Sequence, residues 1–111
     1  MRDQADDLLV VYCTCPDRES GEQLATRLVE DRLAACVNLI PGITSLYVWN
    51  EALQQDSEVL LVIKTTSQKY PKLEGTLKTI HPYEVPEIIA TPIVAGATAY
   101  LDWVRERLGE T

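Results

Sequence analysis

The segment AACVNLIPGITSLYVW, residues 34–49, decides the fold because it is the longest extended stretch in the chain. Its apolar and β-branched residues predict a strand, and Pro41-Gly42 in its middle predicts a bulge or sharp bend. It spans up to 16 residues, whereas a strand usually has about five or six. Its outer part carries Tyr47 and Trp49 beyond the reach of a four-stranded sheet. A long apolar edge favours pairing with another chain, so we expect a homo-oligomer built on this hairpin.

Three more strands and three helices are predicted around this segment. The strands are LLVVYCTC (8–15), SEVLLVIKTT (57–66) and EIIATPIV (87–94), the last at a sheet edge because it contains Pro92. The helices begin at a Ser20–Gln23 capping box, at Ser67, and after Gly96. The order βαββαβα predicts an α/β (α+β) ferredoxin-like βαββαβ sandwich with an extended β2–β3 hairpin and a C-terminal helix. We expect one domain over residues 8–111, preceded by an acidic tail over residues 1–7.

The composition excludes several classes of function. Seventeen acidic and ten basic residues give a net charge of −7, which argues against binding to nucleic acid. No apolar run approaches the roughly 20 residues of a membrane span, and the N-terminal MRDQADD is too polar for a signal peptide. We therefore expect a cytoplasmic protein with no nucleic-acid or membrane partner. The motifs of P-loop, dinucleotide-binding, serine-hydrolase and HExxH enzymes are absent.

The three cysteines allow two interpretations, a metal site or buried structural thiols. Alternation in the first strand places Cys13 and Cys15 on one face, where two thiolates would favour Cu(I) or Zn(II). A C-x-C pair is a weak metal signal by itself, and three buried structural thiols are the alternative. For Cys36, which opens the long strand, core packing is the simpler role.

His81, in HPYEVPE (81–87), is the only histidine. The following proline disfavours the α region, so the second helix should end at or just before His81, where the helix dipole favours the protonated imidazole. A histidine near Tyr83, Glu84 and Glu87 is typical of an acid–base or cation-binding group, although a helix end alone explains its position equally well.

The segments RLAACVNLIPGITSLYVW, EVLLVIKTT, HPYEVPEII and YLDWV closely resemble the CutA family, the divalent-cation tolerance proteins. The resemblance runs in order from about Leu8 to Leu108. It implies a stable homotrimer in which the long second and third strands pair between subunits. It also implies an architecture like that of PII-type signalling proteins, whose intersubunit clefts bind small anionic effectors.

The resemblance also assigns site residues. It places copper or another divalent cation on Cys13, Cys36 and His81, with no cofactor required for folding. It places an intersubunit cleft at Trp49, Glu58, Lys64, Tyr83 and Glu87. The leading hypothesis is therefore a homotrimer that binds metal ions in copper tolerance, and the alternative is a PII-like trimer that binds a small molecule in the cleft. An enzyme is not expected, since YCTCPDRESG lacks the phosphate-binding pattern of acylphosphatases, which share the fold.

Overall fold

The computed structural model describes residues 7–109, so the expected acidic tail lies outside the described residues except for Asp7. The strands are β1 (Leu8–Cys15), β2 (Cys36–Trp49), β3 (Ala52–Thr66) and β4 (Ile88–Pro92). The helices are α1 (Arg18–Glu30), α2 (Tyr70–Ile80) and α3 (Thr98–Leu108). The element order βαββαβα is the predicted one.

The four strands form one antiparallel sheet in the order β2-β3-β1-β4. β4 is an edge strand, as Pro92 predicted, and β2 is the opposite edge. This strand order, with two helices packed on one face, confirms the ferredoxin-like sandwich.

One face of the sheet forms the main core with α1 and α2. Alternation in β1 and β3 places Val11, Cys13 and Leu61 on this face, where each has no exposed surface. Leu24 and Leu28 of α1, with Leu73 and Leu77 of α2, cover them. The apolar spacing of three and four in the two helices accounts for this packing.

Among residues 7–109, the opposite face of the sheet is covered only at one end. There α3 packs through Val104 and Leu108 against Leu8 and Ala35. Over the rest of this face the apolar side chains are half-buried or exposed, and Ile40 and Ile89 are about half exposed. This open face is continuous with the side of β2 and β3 that carries Glu58.

The β2–β3 hairpin is longer than predicted, because β3 begins at Ala52 rather than at residue 57. Its turn, Asn50-Glu51, has φ of 53° and 64°, which is the type I′ geometry that matches strand twist. At Pro41-Gly42 the register shifts from Ile40↔Leu60 to Ile43↔Glu58, so β2 contains one extra residue there. This is the predicted bulge.

Two helix starts differ from the prediction. α1 is capped by Asp17, whose Oδ1 accepts the Ser20 N–H at 2.8 Å, so the capping box that begins at Ser20 was wrong. Aspartate is as good an N-cap as serine and stands three residues earlier. α2 follows Lys69, whose N–H donates to Thr66 Oγ1 at 3.2 Å, and Ser67 does not cap it.

Candidate functional site

A cleft of about 720 Å³ opens where the outer half of the hairpin meets the loop between α2 and β4. Its lining residues are Thr14, Ser45, Leu46, Tyr47, Trp49, Glu58, Pro82, Tyr83, Glu84, Val85 and Glu87. The cleft therefore combines β1, the hairpin and the loop 81–87, which are distant in sequence.

The hairpin presents a polar and aromatic face to this cleft. Directly paired residues of antiparallel strands point to the same side, and the pairs here include Ser45↔Asp56 and Ile43↔Glu58. Tyr47 and Trp49 follow Ser45 at a spacing of two, so they share its face.

The loop 81–87 is held against the sheet by His81. The imidazole Nε2 donates to the Thr14 carbonyl oxygen at 2.8 Å, and Nδ1 accepts the Tyr83 N–H at 3.0 Å. Because the carbonyl can only accept and the amide can only donate, the ring is neutral with its proton on Nε2. His81 also ends α2, its N–H donating to the Leu77 carbonyl.

Burial is the largest influence on the pKa of His81 and lowers it, against the opposing effects of the Thr14 bond and of Glu58. Burial thus outweighs the contribution of the helix dipole, which favours the protonated imidazole.

Two tyrosines donate to carboxylates at the cleft. Tyr83 Oη donates to Glu58 Oε2 at 2.6 Å, and Tyr47 Oη donates to Asp56 Oδ2. Burial, followed by the bond to Glu58, raises the pKa of Tyr83, and the bond to Asp56 raises that of Tyr47. Both phenols therefore stay protonated at neutral pH.

The charge of the cleft has one sign. Glu58, Glu84 and Glu87 line it, and among residues 7–109 no lysine, arginine or histidine does. Glu58 is the most enclosed of the three, with 8% of its surface exposed. The cleft therefore attracts cations and repels anions.

Comparison with known proteins agrees with this architecture. The family model for the CutA1 divalent ion tolerance protein matches residues 9–107. The chain belongs to the CutA1 family. It is 51% identical over 100 residues to the divalent-cation tolerance protein CutA of Thermus thermophilus, covering 90% of this chain and 97% of the relative. It is 50% identical to the human protein CutA over 86% of this chain, and spans about half of that longer relative, 53%.

Solved CutA structures superpose closely. A divalent cation tolerance protein (CutA1) from Thermus thermophilus has a TM-score of 0.89 at 50% identity, covering 92% of this chain and 99% of the other. CutA1 from Oryza sativa has a TM-score of 0.92 at 41% identity, covering 98% and 100%. Within residues 7–109, no helix is both long and apolar enough to cross a membrane.

Four of the five cleft residues expected from the CutA resemblance lie together in the cleft: Trp49, Glu58, Tyr83 and Glu87. Lys64 does not line it. Lys64 Nζ donates to Asn38 Oδ1, and Lys64 lies six residues along β3 from Glu58, which is about 20 Å in an extended strand.

The three expected CutA copper ligands lie apart in the single chain. Cys13 is on the core face of the sheet, whereas Cys36 pairs with Lys64 on the opposite face and approaches Tyr100 of α3. Both ring nitrogens of His81 are already hydrogen-bonded. The described residues contain no group of three or more histidine, cysteine or acidic side chains arranged to hold a metal ion.

The thiols of β1 are protonated in the metal-free chain. Burial raises the pKa of Cys13 to about 12 and that of Cys15 to about 11, so a metal ion would have to displace a thiol proton to bind either one. A ligand set of Cys13, Cys36 and His81 completed by another subunit stays a prediction.

Reasoning from the sequence missed Thr14 and Tyr47 as cleft residues, whereas Glu84 had been named beside His81 as part of a possible cation-binding group. Tyr47 was noted only as an exposed aromatic residue of the hairpin. Its period-two spacing to Trp49 could have placed both on one face. Thr14 has no local signal, because it reaches the cleft only through the pairing of β1 with β3.

Proposed function

We propose that this protein acts in divalent-cation tolerance as a homotrimer that binds cations in its acidic cleft, and that it is a binding protein rather than an enzyme. The observation that carries the proposal is the cleft itself, which Glu58, Glu84 and Glu87 line without a basic side chain among its described lining residues. Because the described residues of one chain form no three-ligand group, we expect water or a second subunit to complete the coordination. Carboxylate oxygens are ligands for divalent cations. A cytoplasmic location remains part of the proposal.

The exposed apolar surface supports an oligomer. Val48 and Leu53, which pair directly, lie on the hairpin face opposite Glu58 and are 67% and 70% exposed. The open sheet face adds Ile40 and Ile89, which are 45% and 55% exposed. Exposed apolar surface of this kind, here on both faces of the sheet, marks protein–protein contacts, and the resemblance to the CutA family implies three subunits.

Sedimentation equilibrium tests the assembly. We expect a single species of three subunits at micromolar concentration. Leu53→Lys should shift the equilibrium towards monomer, because a charge would be buried in the subunit contact. Lys72→Glu, on the exposed part of α2, is the matched control and should leave the trimer unchanged. A wild-type monomer at these concentrations contradicts the proposal.

Metal titration tests the location of the cation site. Copper, zinc and magnesium ions are titrated into wild type, Glu58→Gln, Glu87→Gln, Cys13→Ser and Cys36→Ser. We expect both glutamine variants to weaken divalent binding about tenfold or more, a change of about 1.4 kcal/mol. The serine variants should bind as wild type does. If the serine variants lose copper and the glutamine variants keep it, the thiols are the ligands.

The size of the cleft favours a second candidate function, a PII-like signalling or scaffold trimer that binds a small molecule. A volume of about 720 Å³ lies within the roughly 300–1,000 Å³ of small-molecule sites and exceeds the needs of an ion. A thermal-shift screen of metabolites checks this role. Lys64→Ala, which alters a residue outside the cleft, should show the same ligand-induced shifts as wild type, and a ligand that stabilises wild type but not this variant would argue for a different site.

A further inference from the structure

The cleft combines negative charge with aromatic and apolar walls. Beside the carboxylates, the rings of Tyr47, Trp49 and Tyr83 line it. Leu46, Pro82 and Val85 complete the wall. The carboxylates suit a hydrated metal ion, and the apolar wall adds a surface that such an ion does not use, because its ligands are oxygen atoms.

The hydroxyl groups of the two tyrosines are already engaged. Tyr83 donates to Glu58 and Tyr47 donates to Asp56, so neither phenol has its proton free for an anionic or carbonyl ligand. The ring faces remain as the surface that these side chains offer. Aromatic faces attract cations through their quadrupole, and tryptophan does so most strongly.

The geometry points to an organic cation as the ligand of this cleft: an alkylammonium group whose charge faces Glu58 and whose carbon substituents contact Trp49 and the neighbouring rings. This inference rests on the second candidate function, in which the cleft holds a small molecule. It reverses the sign of charge expected from PII-type proteins, because the described lining residues include no basic side chain that could neutralise an anion.

Three near-isosteric probes separate charge from shape: tetramethylammonium, tert-butanol and pivalate. They carry a positive charge, no charge and a negative charge on similar apolar bodies. Nuclear magnetic resonance titration follows the two indole N–H signals, at constant ionic strength. Trp49 lies in the cleft, whereas Trp103 stacks on Tyr100 with ring centroids 5.6 Å apart on α3 and serves as the internal control.

We expect tetramethylammonium to shift the Trp49 signal saturably while the Trp103 signal stays in place. Trp49→Leu should weaken binding about threefold to thirtyfold, the range of a cation–π contact, as followed by the Tyr83 amide signal. Glu58→Gln should weaken it further, and Trp103→Leu should not change it. Sedimentation of each variant checks that the assembly is retained. Glu84→Gln, at an exposed position, replaces any variant that fails to assemble.

Tighter binding of tert-butanol or pivalate overturns the proposal, as does an affinity for tetramethylammonium that Trp49→Leu leaves unchanged. Titration with divalent ions separates this inference from the proposed metal function. Binding of a divalent ion depends on the carboxylates and not on the aromatic rings. If Glu58→Gln loses metal binding but the wild type does not bind tetramethylammonium, only this inference is contradicted. If the wild type binds tetramethylammonium but Glu58→Gln leaves the metal affinity unchanged, only the metal function is contradicted.

Discussion

The inner and outer halves of β3 are one continuous strand with opposite environments. From Val59 to Thr66 its side chains are buried or half-buried, and Leu61 has no exposed surface. From Ala52 to Ser57 nearly all are exposed, and Leu53 is 70% exposed. The inner half is stabilised by the core of its own chain, whereas the outer half depends on the ladder to β2 and on whatever covers it. The same backbone structure thus serves stability at one end and recognition at the other.

The largest expected effect comes from truncating one leucine in each half. Leu61→Ala should lower the free energy of unfolding by about 2–5 kcal/mol, because it leaves a cavity in the core. Leu53→Ala removes no core contact, so any loss should depend on protein concentration, as expected for a side chain buried only between subunits. Urea denaturation at two protein concentrations measures both. A loss for Leu53→Ala that equals that of Leu61→Ala and does not depend on concentration would break the distinction.

The next effect concerns His81, which joins the core to the cleft. His81→Gln should cost about 1–3 kcal/mol, since it breaks the paired bonds to the Thr14 carbonyl and the Tyr83 amide. The cost should also depend on pH. The native pKa of His81 is lowered, so the unfolded chain binds the proton first, and the stabilising contribution falls as pH drops from about 6.5 towards the native value.

Urea denaturation of wild type and His81→Gln at pH 7.5 and pH 5 checks this effect. The difference between the two proteins should be larger at pH 7.5. Subtracting the variant removes the contributions of the carboxylates, which both proteins share. A larger difference in the free energy of unfolding between wild type and His81→Gln at pH 5 than at pH 7.5 would mean that the native imidazole is protonated.

A matched pair of glycines compares the backbones of the hairpin and the body. A Cβ at either Gly42 or Gly75 would meet no atom within 4 Å, so only the backbone decides the outcome. Gly42 has φ of +79°, and Gly42→Ala should destabilise by about 1 kcal/mol. Gly75 lies within α2, and Gly75→Ala should stabilise by about 0.5–1 kcal/mol. Thermal unfolding measures the change in melting temperature for each variant. If both variants raise it, or both lower it, the explanation from backbone conformation is wrong.

The smallest expected effect is a difference in how fast the three cysteines of the wild-type protein react with a thiol reagent. Cys13 and Cys15 have no exposed surface and raised pKa values, whereas Cys36 is half-buried. At pH 8 a thiol reagent should modify at most Cys36 in the native protein and all three cysteines in denaturant. Mass spectrometry of the labelled peptides checks the order. Rapid native labelling of Cys13 would show that the core side of β1 opens easily.

The body of the fold was predictable from the sequence because its signals are local. The apolar alternation of β1, the stripe Tyr70–Leu73–Leu77–Ile80 of α2, and the proline after His81 each specify an element and its end. The outer half of β3 was not predictable in this way. ALQQDS has neither an apolar face nor a turn signal, and it is extended only because β2 pairs with it along its whole length.

The cleft was predictable only in part for the same reason. Trp49, Glu58, Tyr83 and Glu87 were named through the resemblance to a family, and no local pattern would have joined them. Their meeting depends on the register of β2 against β3 and on the His81 bonds that fix the loop. Lys64 was named with them through the same resemblance, for a cleft between subunits. Within one chain it lies about 20 Å from Glu58 along β3, a distance that a residue list does not convey.

The extra residue at Pro41-Gly42 has a consequence for sequence change in this hairpin. Before it, even-numbered residues of β2 share the side of Glu58; after it, odd-numbered residues do. The bulge absorbs this residue without a slip of register, so Tyr47 pairs with Gln54 and shares the side of Glu58. If the residue were instead taken into a regular ladder, the pairing beyond it would slip by one, and Leu46 and Val48 would replace Tyr47 and Trp49 on that side. An insertion or deletion elsewhere in β2 that no bulge absorbs would therefore exchange the two surfaces of the hairpin without altering any side chain on either.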